Sequence, residues 1–564
     1  IYKSVIIYFK ILSLGRDLIM KKRSGAHVLV ESLVNEGLTT IFGIPGVDTL
    51  SVYDAFLDHP SVRAINVRHE QSAVFMADGY YRASGNIGVA LTSGGPGALN
   101  TLTAMGTAHN DSSAILHILN DNPAHVRAKG RGYFHDVRDQ YGIFRPVIDF
   151  GYQATMPHEI PDSIRTAMTA LKSRRPKPAL VEIGGDAFKI PSDINIGNKS
   201  SSHRRAATDD ELNQVIEALS KSKKPLIWSG GGVVHGDATK GLIAFAEKLN
   251  APVITSQTGK GSIPFDHPLH VGNWSNEKPV REFIDDTDLV IILGSRLSYF
   301  PTGGWTLKFP GKVIQIDIDP AELGRNHPVH MGIVGDLCDA LTRINKLINA
   351  KKLTFNTAER KPEIKALLDK IHSALGKPVE VDVLDQLRTA LPHETIVFND
   401  PTTIVFWMRS YWKTYLPRTW FVPSGFGTLG FALPSAIGAK VARPDVPVVA
   451  MHGDAGVMFT IQDLMTAVEH NIPVILFVFN DQGYGVERRH QDHLYGRRSG
   501  VDIQSPDFVG LAKSFGAHGV RVNDLSKVAE TVSEVLNINK PTLIEVPCDF
   551  KHPGYGSFID WSKY

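Results

Sequence analysis

Short apolar runs alternate along most of the chain with longer segments whose apolar positions recur at helical spacing. Runs apolar throughout suit strands buried on both faces, and the periodic segments suit the helices that cover them. Residues 24–36 read as an amphipathic helix and 39–42 as a short buried strand. Residues 64–67 form a second strand, which runs into Arg68, His69 and Glu70 at the head of a helix rich in small residues over 71–83. Residues 88–92 are a further strand, closed by the turn SGGPG at 93–97. The alternation returns at 224–229, 289–293 and 313–318, and again at 395–398 and 474–479. Such alternation predicts an α/β protein, here with three doubly wound parallel-sheet domains.

Breaks in the pattern suggest the boundaries. The units run over 20–188, 209–345 and 378–550, with a polar, aperiodic linker at 189–208 and a Lys-rich linker, carrying some helix, at 346–377. Residues 551–564 read as a C-terminal tail. Residues 1–19 read as an extension or disordered arm: the apolar stretch is interrupted by Lys3 and Lys10 and lacks a small-residue cleavage site. A chain of 564 residues suits about three domains. Its net charge of +2 argues against a polyanion-binding protein, so no nucleic-acid partner is expected. Cys338 and Cys548 fall in different expected domains, which suits free thiols in a reducing, cytoplasmic setting. No segment reads as membrane-spanning.

Residues 453–485 carry the densest chemistry. The stretch opens with Gly453-Asp454, continues through an expected amphipathic helix and the strand 474–479, and ends in Asn480-Asp481-Gln482-Gly483-Tyr484-Gly485. A strand–helix–strand unit of this length returns the chain beside its start, so both aspartates reach the carboxyl ends of neighbouring strands. Two hard oxygen ligands with turn glycines beside them suit Mg²⁺ carrying a diphosphate. Taken alone, the stretch also suits an ordinary βαβ unit with polar turns.

Two further segments change that reading. Glu70 sits in RHEQSAVFMADGYYRASG (68–85), where a half-buried carboxyl can exchange a proton with a ligand. The turn SGFGTLG (424–430) is followed by FALPSAIG (431–438). With 453–485, these segments resemble the signatures of thiamine diphosphate enzymes in the order pyrimidine, central and diphosphate domain. That order is shared by the acetolactate synthase, pyruvate decarboxylase, benzoylformate decarboxylase and oxalyl-CoA decarboxylase group. The resemblance implies that Glu70 bonds the aminopyrimidine and that Leu429 wedges the cofactor into a bent shape. It implies Mg²⁺ ligation by Asp454, Asp481 and the Gly483 carbonyl, with Gly427, Gly453, Ala455, Gly456, Tyr484 and Gly485 lining the cofactor. Thr402 and Thr403 are candidates to bond the diphosphate oxygens. The chain departs from the pattern at Ala455, where a glycine is usual, and at Asp481, where Asn is usual. In the family the first domain of one subunit faces the third domain of another, which implies a homodimer as the minimal active unit and a homotetramer as the expected assembly.

The same resemblance implies a small-molecule 2-oxo acid or acyl substrate. His135 falls where pyruvate decarboxylases carry a His pair and acetolactate synthases carry Phe-Gln, and Glu487 falls where pyruvate decarboxylases place a catalytic Glu. His109, with Asn110, is a further candidate on the substrate side. Arg488, Arg489, Arg497 and Arg498 form a basic run that suits a carboxylate, a phosphate or simply water. Biosynthetic acetolactate synthases carry a flavin-binding string whose acidic pair is absent from GSRLSY (294–299), so no FAD is expected. The expected activity is decarboxylation or carboligation of a 2-oxo acid, acetolactate synthase-like without FAD. The alternatives are a benzoylformate decarboxylase, benzaldehyde lyase or 2-hydroxyacyl-CoA lyase type of C–C lyase, or a non-catalytic cofactor-binding paralogue. A nicotinamide dehydrogenase would need a well-placed G-x-G-x-x-G turn, which the chain lacks.

Overall fold

The computed structural model describes residues 23–550; the expected arm at 1–19 and tail at 551–564 lie outside the described residues. Three six-stranded sheets follow one another along the chain, each parallel throughout. The first holds β1 (Thr40–Gly43), β2 (Arg63–Asn66), β3 (Gly88–Thr92), β4 (Ile115–Asp121), β5 (Phe150–Ala154) and β6 (Ala179–Gly184), in the order β2-β1-β3-β4-β6-β5. The central sheet holds β7 (Pro225–Ser229), β8 (Val253–Thr255), β9 (His270–Gly272), β10 (Leu289–Leu293), β11 (Lys312–Asp317) and β12 (Met331–Val334), in the order β12-β11-β10-β7-β8-β9. The third holds β13 (Ile396–Asn399), β14 (Trp420–Phe421), β15 (Val448–Gly453), β16 (Ile475–Asn480), β17 (His518–Arg521) and β18 (Thr542–Pro547), in the order β14-β13-β15-β16-β18-β17. The first and third sheets thus share one strand order, and the central sheet has another. In each sheet the direction of winding reverses, between β1 and β3, β7 and β10, and β13 and β15, which opens a crevice at the carboxyl ends of the strands.

Central strands such as β3, β4, β7 and β10 are buried at every position, which is why their sequences are apolar without alternation. The helices named below are α1 (Glu70–Ser84), α2 (Leu102–Asp111), α3 (Thr403–Tyr411), α4 (Ala432–Ala442), α5 (Asp454–Val457), α6 (Asp463–Glu469) and α7 (Gly485–Tyr495). One expectation needs revision. The single amphipathic helix expected after Asp454 is two short helices, α5 and α6. The chain turns between them, where the Thr460 hydroxyl donates to the Gly430 carbonyl. The linker expected at 346–377 contains the helix Lys361–Leu375, whose Ile364, Leu367, Ile371 and Leu375 are buried. Their helical spacing gives that segment an apolar face to bury, despite its surface lysines.

Helix α1 packs along α4, and the reason is a lack of side chain. A Cβ on Gly79 would lie 1.9 Å from the Ser435 carbonyl oxygen, and one on Gly438 would lie 1.9 Å from that of Met76. The two backbones approach closely only because both positions are glycine. One apolar core therefore runs from Phe42 and Phe75 in the first domain to Phe398 and Phe431 in the third.

Candidate active site

The switch point of the third sheet lies between β13 and β15. Asp400 follows β13, Asp454 follows β15 and Asp481 follows β16, so three carboxyl groups gather at adjacent strand ends. Asp454 is 1 % exposed. Its Oδ2 accepts from the Gly483 amide at 3.1 Å and the Ser505 hydroxyl at 2.6 Å, while its Oδ1 is buried with no hydrogen-bond partner. Asp481 lies against Gly485, where a Cβ would sit 1.9 Å from its Oδ2. Burial, and then the nearby Asp454 charge, push the Asp481 carboxyl up to about 6. Two carboxyl groups this close, one with an orphaned buried oxygen, form a place where a cation is favoured. Among the described residues no group of three or more His, Cys, Asp or Glu side chains could hold a metal ion. A cation here would need the Gly483 carbonyl and ligand oxygens to complete its shell, which is how Mg²⁺ commonly binds phosphates.

One side of this crevice is lined by the start of α3. Thr402 precedes the helix, and its Oγ1 is buried without a partner. A Cβ on Gly453 would lie 3.5 Å from Thr402 Cγ2, and one on Gly485 would lie 3.3 Å from Thr403 Oγ1. A free hydroxyl, a helix N-terminus and two glycines thus border one space, a combination that suits an anion. Ala455 is buried in the first turn of α5 and Tyr484 precedes α7, its amide donating to the Val501 carbonyl.

Leu429 stands in the turn before α4, between Gly427 and Gly430, which have φ of 67° and 80°. A Cβ on Gly456 would lie 3.5 Å from Leu429 Cδ2, so the turn touches the start of the aspartate stretch. The turn is held from below. Asp400 accepts from the Gly430 amide at 2.6 Å and the Ala432 amide at 2.8 Å, and pairs with His452 Nδ1 at 2.9 Å. His452 Nε2 accepts from the Leu433 amide at 2.8 Å, and both side chains are wholly buried. Sequence reasoning passed over Asp400, His452 and Ser505. Asp400 carried a usable signal, since it ends a strand as Asp454 does. Ser505 carried none.

In the first domain Glu70 opens α1 and accepts from Asn100 Nδ2 at 2.9 Å. It faces the turn after β3: a Cβ on Gly97 would sit 3.4 Å from Glu70 Oε1. His135 lies against the same turn, with its Cβ 2.7 Å from where a Gly95 Cβ would be. Its ring stacks on Phe134 and its Nδ1 is 4.0 Å from Asp48 Oδ2. Glu70 and His135 therefore flank one glycine turn. No hydrogen bond or ion pair among the described residues joins Glu70 to Asp454, Asp481 or Leu429. The remaining candidates have other neighbours. His109, on α2, has Lys177, Arg175, Asp149 and Arg296 as its charged neighbours, and burial with the basic ones lowers its pKa. Glu487 is exposed in the first turn of α7. Arg488 is bound into the chain by the Asp481 and Gln482 carbonyls and Asp502, and Arg498 by Asp492. In the central domain the Gly230-Gly231-Gly232 turn borders a cavity of about 110 Å³ lined also by Arg296 and Asp317.

Comparison with known proteins follows the same three-part division. Family models for the thiamine pyrophosphate enzymes match residues 23–143 (N-terminal TPP binding domain), 212–344 (central domain) and 400–546 (C-terminal TPP binding domain). The chain is 32 % identical to a probable acetolactate synthase large subunit of Methanococcus aeolicus, covering 93 % of this chain and 92 % of that protein. It is 33 % identical to the corresponding protein of Methanocaldococcus jannaschii, with the same coverage. It is 32 % identical to a probable 2-ketoarginine decarboxylase of Pseudomonas aeruginosa, over 93 % of this chain and 94 % of that one. The two cofactor-binding matches fall on the two domains that carry Glu70 and the aspartate pair, and the chain belongs to the thiamine pyrophosphate enzyme family, in its acetolactate synthase and decarboxylase group.

Proposed function

We propose that this protein decarboxylates a 2-oxo acid, with or without joining the acyl unit to a second carbonyl compound, using thiamine diphosphate and Mg²⁺. One observation carries the cofactor half of the reading: Asp454 Oδ1 and Thr402 Oγ1 are buried without partners on either side of one crevice. Asp454, Asp481 and the Gly483 carbonyl would hold the cation, and Thr402 and Thr403 the diphosphate. The bound cofactor supplies the carbanion and the electron sink that this chemistry needs. Leu429 would support the bend between its rings, with Asp400 and His452 fixing the turn. Glu70 would hold and exchange a proton at the aminopyrimidine, and His135, across the same glycine turn, would move protons at the substrate.

The likeness to acetolactate synthases supports carboligation as the first reading, without FAD, because Ser298 and Tyr299 stand where the flavin-binding acidic pair would be. A single His135 beside the Glu70 turn supports a second, in which protonation releases an aldehyde, as in a benzoylformate decarboxylase type of lyase. Glu70 sits in the first domain and the aspartate pair in the third, with no bond between them in one protomer. This supports a cofactor shared between two protomers, in a homodimer or a homotetramer built from such dimers. Met458, Phe459 and Met465 are large exposed apolar side chains on the stretch between the two aspartates, which suits a face covered by a second copy. No helix among the described residues is long and apolar enough to cross a membrane, and we place the enzyme in the cytoplasm. Incubation with pyruvate, benzoylformate and an acyl-CoA, followed by assay of CO₂, aldehyde and acyloin, distinguishes the two readings. Acyloin from pyruvate supports carboligation, aldehyde alone supports the lyase, and no turnover of any 2-oxo acid would remove both.

A further inference from the structure

Where the central domain meets the third lies a cavity of about 10 Å³, with neither Asp454 nor Asp481 on its wall. Thr255, Lys260, Phe265 and His270 line it from the central domain, and Trp412 and Thr414 from the third. None of the described residues on this wall is Asp or Glu. A space of about 10 Å³ holds one water or one monoatomic ion.

The polar groups on the wall are short of partners. Thr255 is 1 % exposed and Thr414 is 4 % exposed, and both hydroxyl oxygens are buried with no hydrogen-bond partner. His270 Nδ1 is buried and unpartnered too. Burial, and then the Lys260 and His267 charges, lower His270 to about 3, so its ring is neutral. Lys260 is buried, and its ammonium donates to the Met408 and Arg409 carbonyls at 2.9 Å. Those carbonyls belong to the last turn of α3, a place that favours a cation. The Lys260 nitrogen also lies 4.8 Å from the ring centre of Trp420. None of these three contacts carries a full negative charge, and burial lowers the ammonium to about 7. Unsatisfied hydroxyls in the interior cost stability, and a buried charge without a counter-charge costs more.

We propose that this cavity binds one chloride ion, held by the Lys260 ammonium and the Thr255 and Thr414 hydroxyls. Both hydroxyls are free to turn their hydrogens toward an anion, and one negative charge matches the one ammonium on the wall. A water would satisfy the hydroxyls but leave the ammonium without a counter-charge. Carboxylates, phosphate and sulfate are too large for the space. The ion draws its donors from two domains, with Thr255 and Lys260 on one side and Thr414 on the other. It therefore clamps the central domain against the end of α3, the helix whose start at Thr402 and Thr403 lines the cofactor crevice.

The test uses the holoenzyme loaded with thiamine diphosphate and Mg²⁺, with chloride as the probe and gluconate at equal ionic strength as the control. Chloride raises the thermal midpoint of the wild type in a saturable way, and gluconate, too large to enter, does not. Thr414→Val keeps the shape of a side chain whose hydroxyl has no other partner. Its midpoint in gluconate stays at or above that of the wild type. Its half-saturating chloride concentration rises at least about tenfold, as expected for loss of a hydrogen bond to a charged group. Lys260→Met loses the chloride increment altogether. Crystals of the wild-type holoenzyme grown in bromide show an anomalous peak between Lys260, Thr255 and Thr414. An ordinary water there with no anomalous peak would overturn the proposal, as would equal midpoint responses to chloride and gluconate. So would a Thr414→Val half-saturation equal to that of the wild type, and each of these results holds whether or not Lys260→Met folds.

Discussion

Asp454 and Asp481 put two carboxyl groups at adjacent strand ends with one buried oxygen unmatched, an arrangement that a cation would relieve. Asp481→Asn keeps an oxygen ligand and removes the like charge. Without metal it stabilises the protein by about 1 kcal/mol, after discounting for partial exposure. With metal it raises the Mg²⁺ concentration needed for half-maximal activity, because the pair loses a unit of negative charge. Thermal denaturation with and without Mg²⁺ measures both effects, and an unchanged metal requirement would remove Asp481 from the ligand set. The neighbouring turn makes a separate prediction. Asp400→Ala removes both oxygens that accept from the Gly430 and Ala432 amides and should lower kcat by about tenfold or more through misplacement of Leu429, with a smaller change in substrate KM. Steady-state kinetics at saturating cofactor separates the two parameters.

At the scale of elements, the contact of α1 with α4 and α6 decides how the first and third domains sit. Asp463, at the start of α6, accepts from the Arg68 amide at 3.1 Å and from the Ser72 hydroxyl. Burial raises its carboxyl to about 6. A carboxyl raised on folding contributes its full stability below its unfolded pKa of about 4, and that contribution is lost as pH rises through 6. Asp463→Asn keeps an acceptor for the amide and a partner for the hydroxyl. It should therefore gain about 1 to 1.5 kcal/mol relative to wild type between pH 5 and pH 8, read from denaturation at the two pH values. A mutant whose relative stability is the same at both would contradict a raised carboxyl. Gly79→Ala has the opposite sign: its methyl would enter the Ser435 carbonyl, so about 1 to 3 kcal/mol should be lost as the helices move apart.

For the whole molecule, the alternation of apolar runs and helical periods was enough to read three parallel sheets, because strands buried on both faces cannot be written otherwise. The aspartate pair was legible for the same reason, since strand ends are where a parallel sheet exposes side chains. The grip of Asp400 and His452 on the Leu429 turn was not, because it joins three separate segments of the third domain through hydrogen bonds that leave no periodicity. The break between α5 and α6 was hidden too, since it depends on the contact between Thr460 and Gly430. The placement of His109 among Lys177, Arg175 and Arg296 joins residues far apart in sequence, which no local pattern encodes. What remains is the central claim, that Glu70 and Asp454 serve one cofactor from different protomers. Coexpression of Glu70→Gln with Asp454→Ala, each inactive alone, tests it directly. Random pairing gives mixed dimers with one doubly damaged site and one intact site, so about a quarter of wild-type activity should return. No recovery, with mixed dimers shown to form, would contradict a shared site.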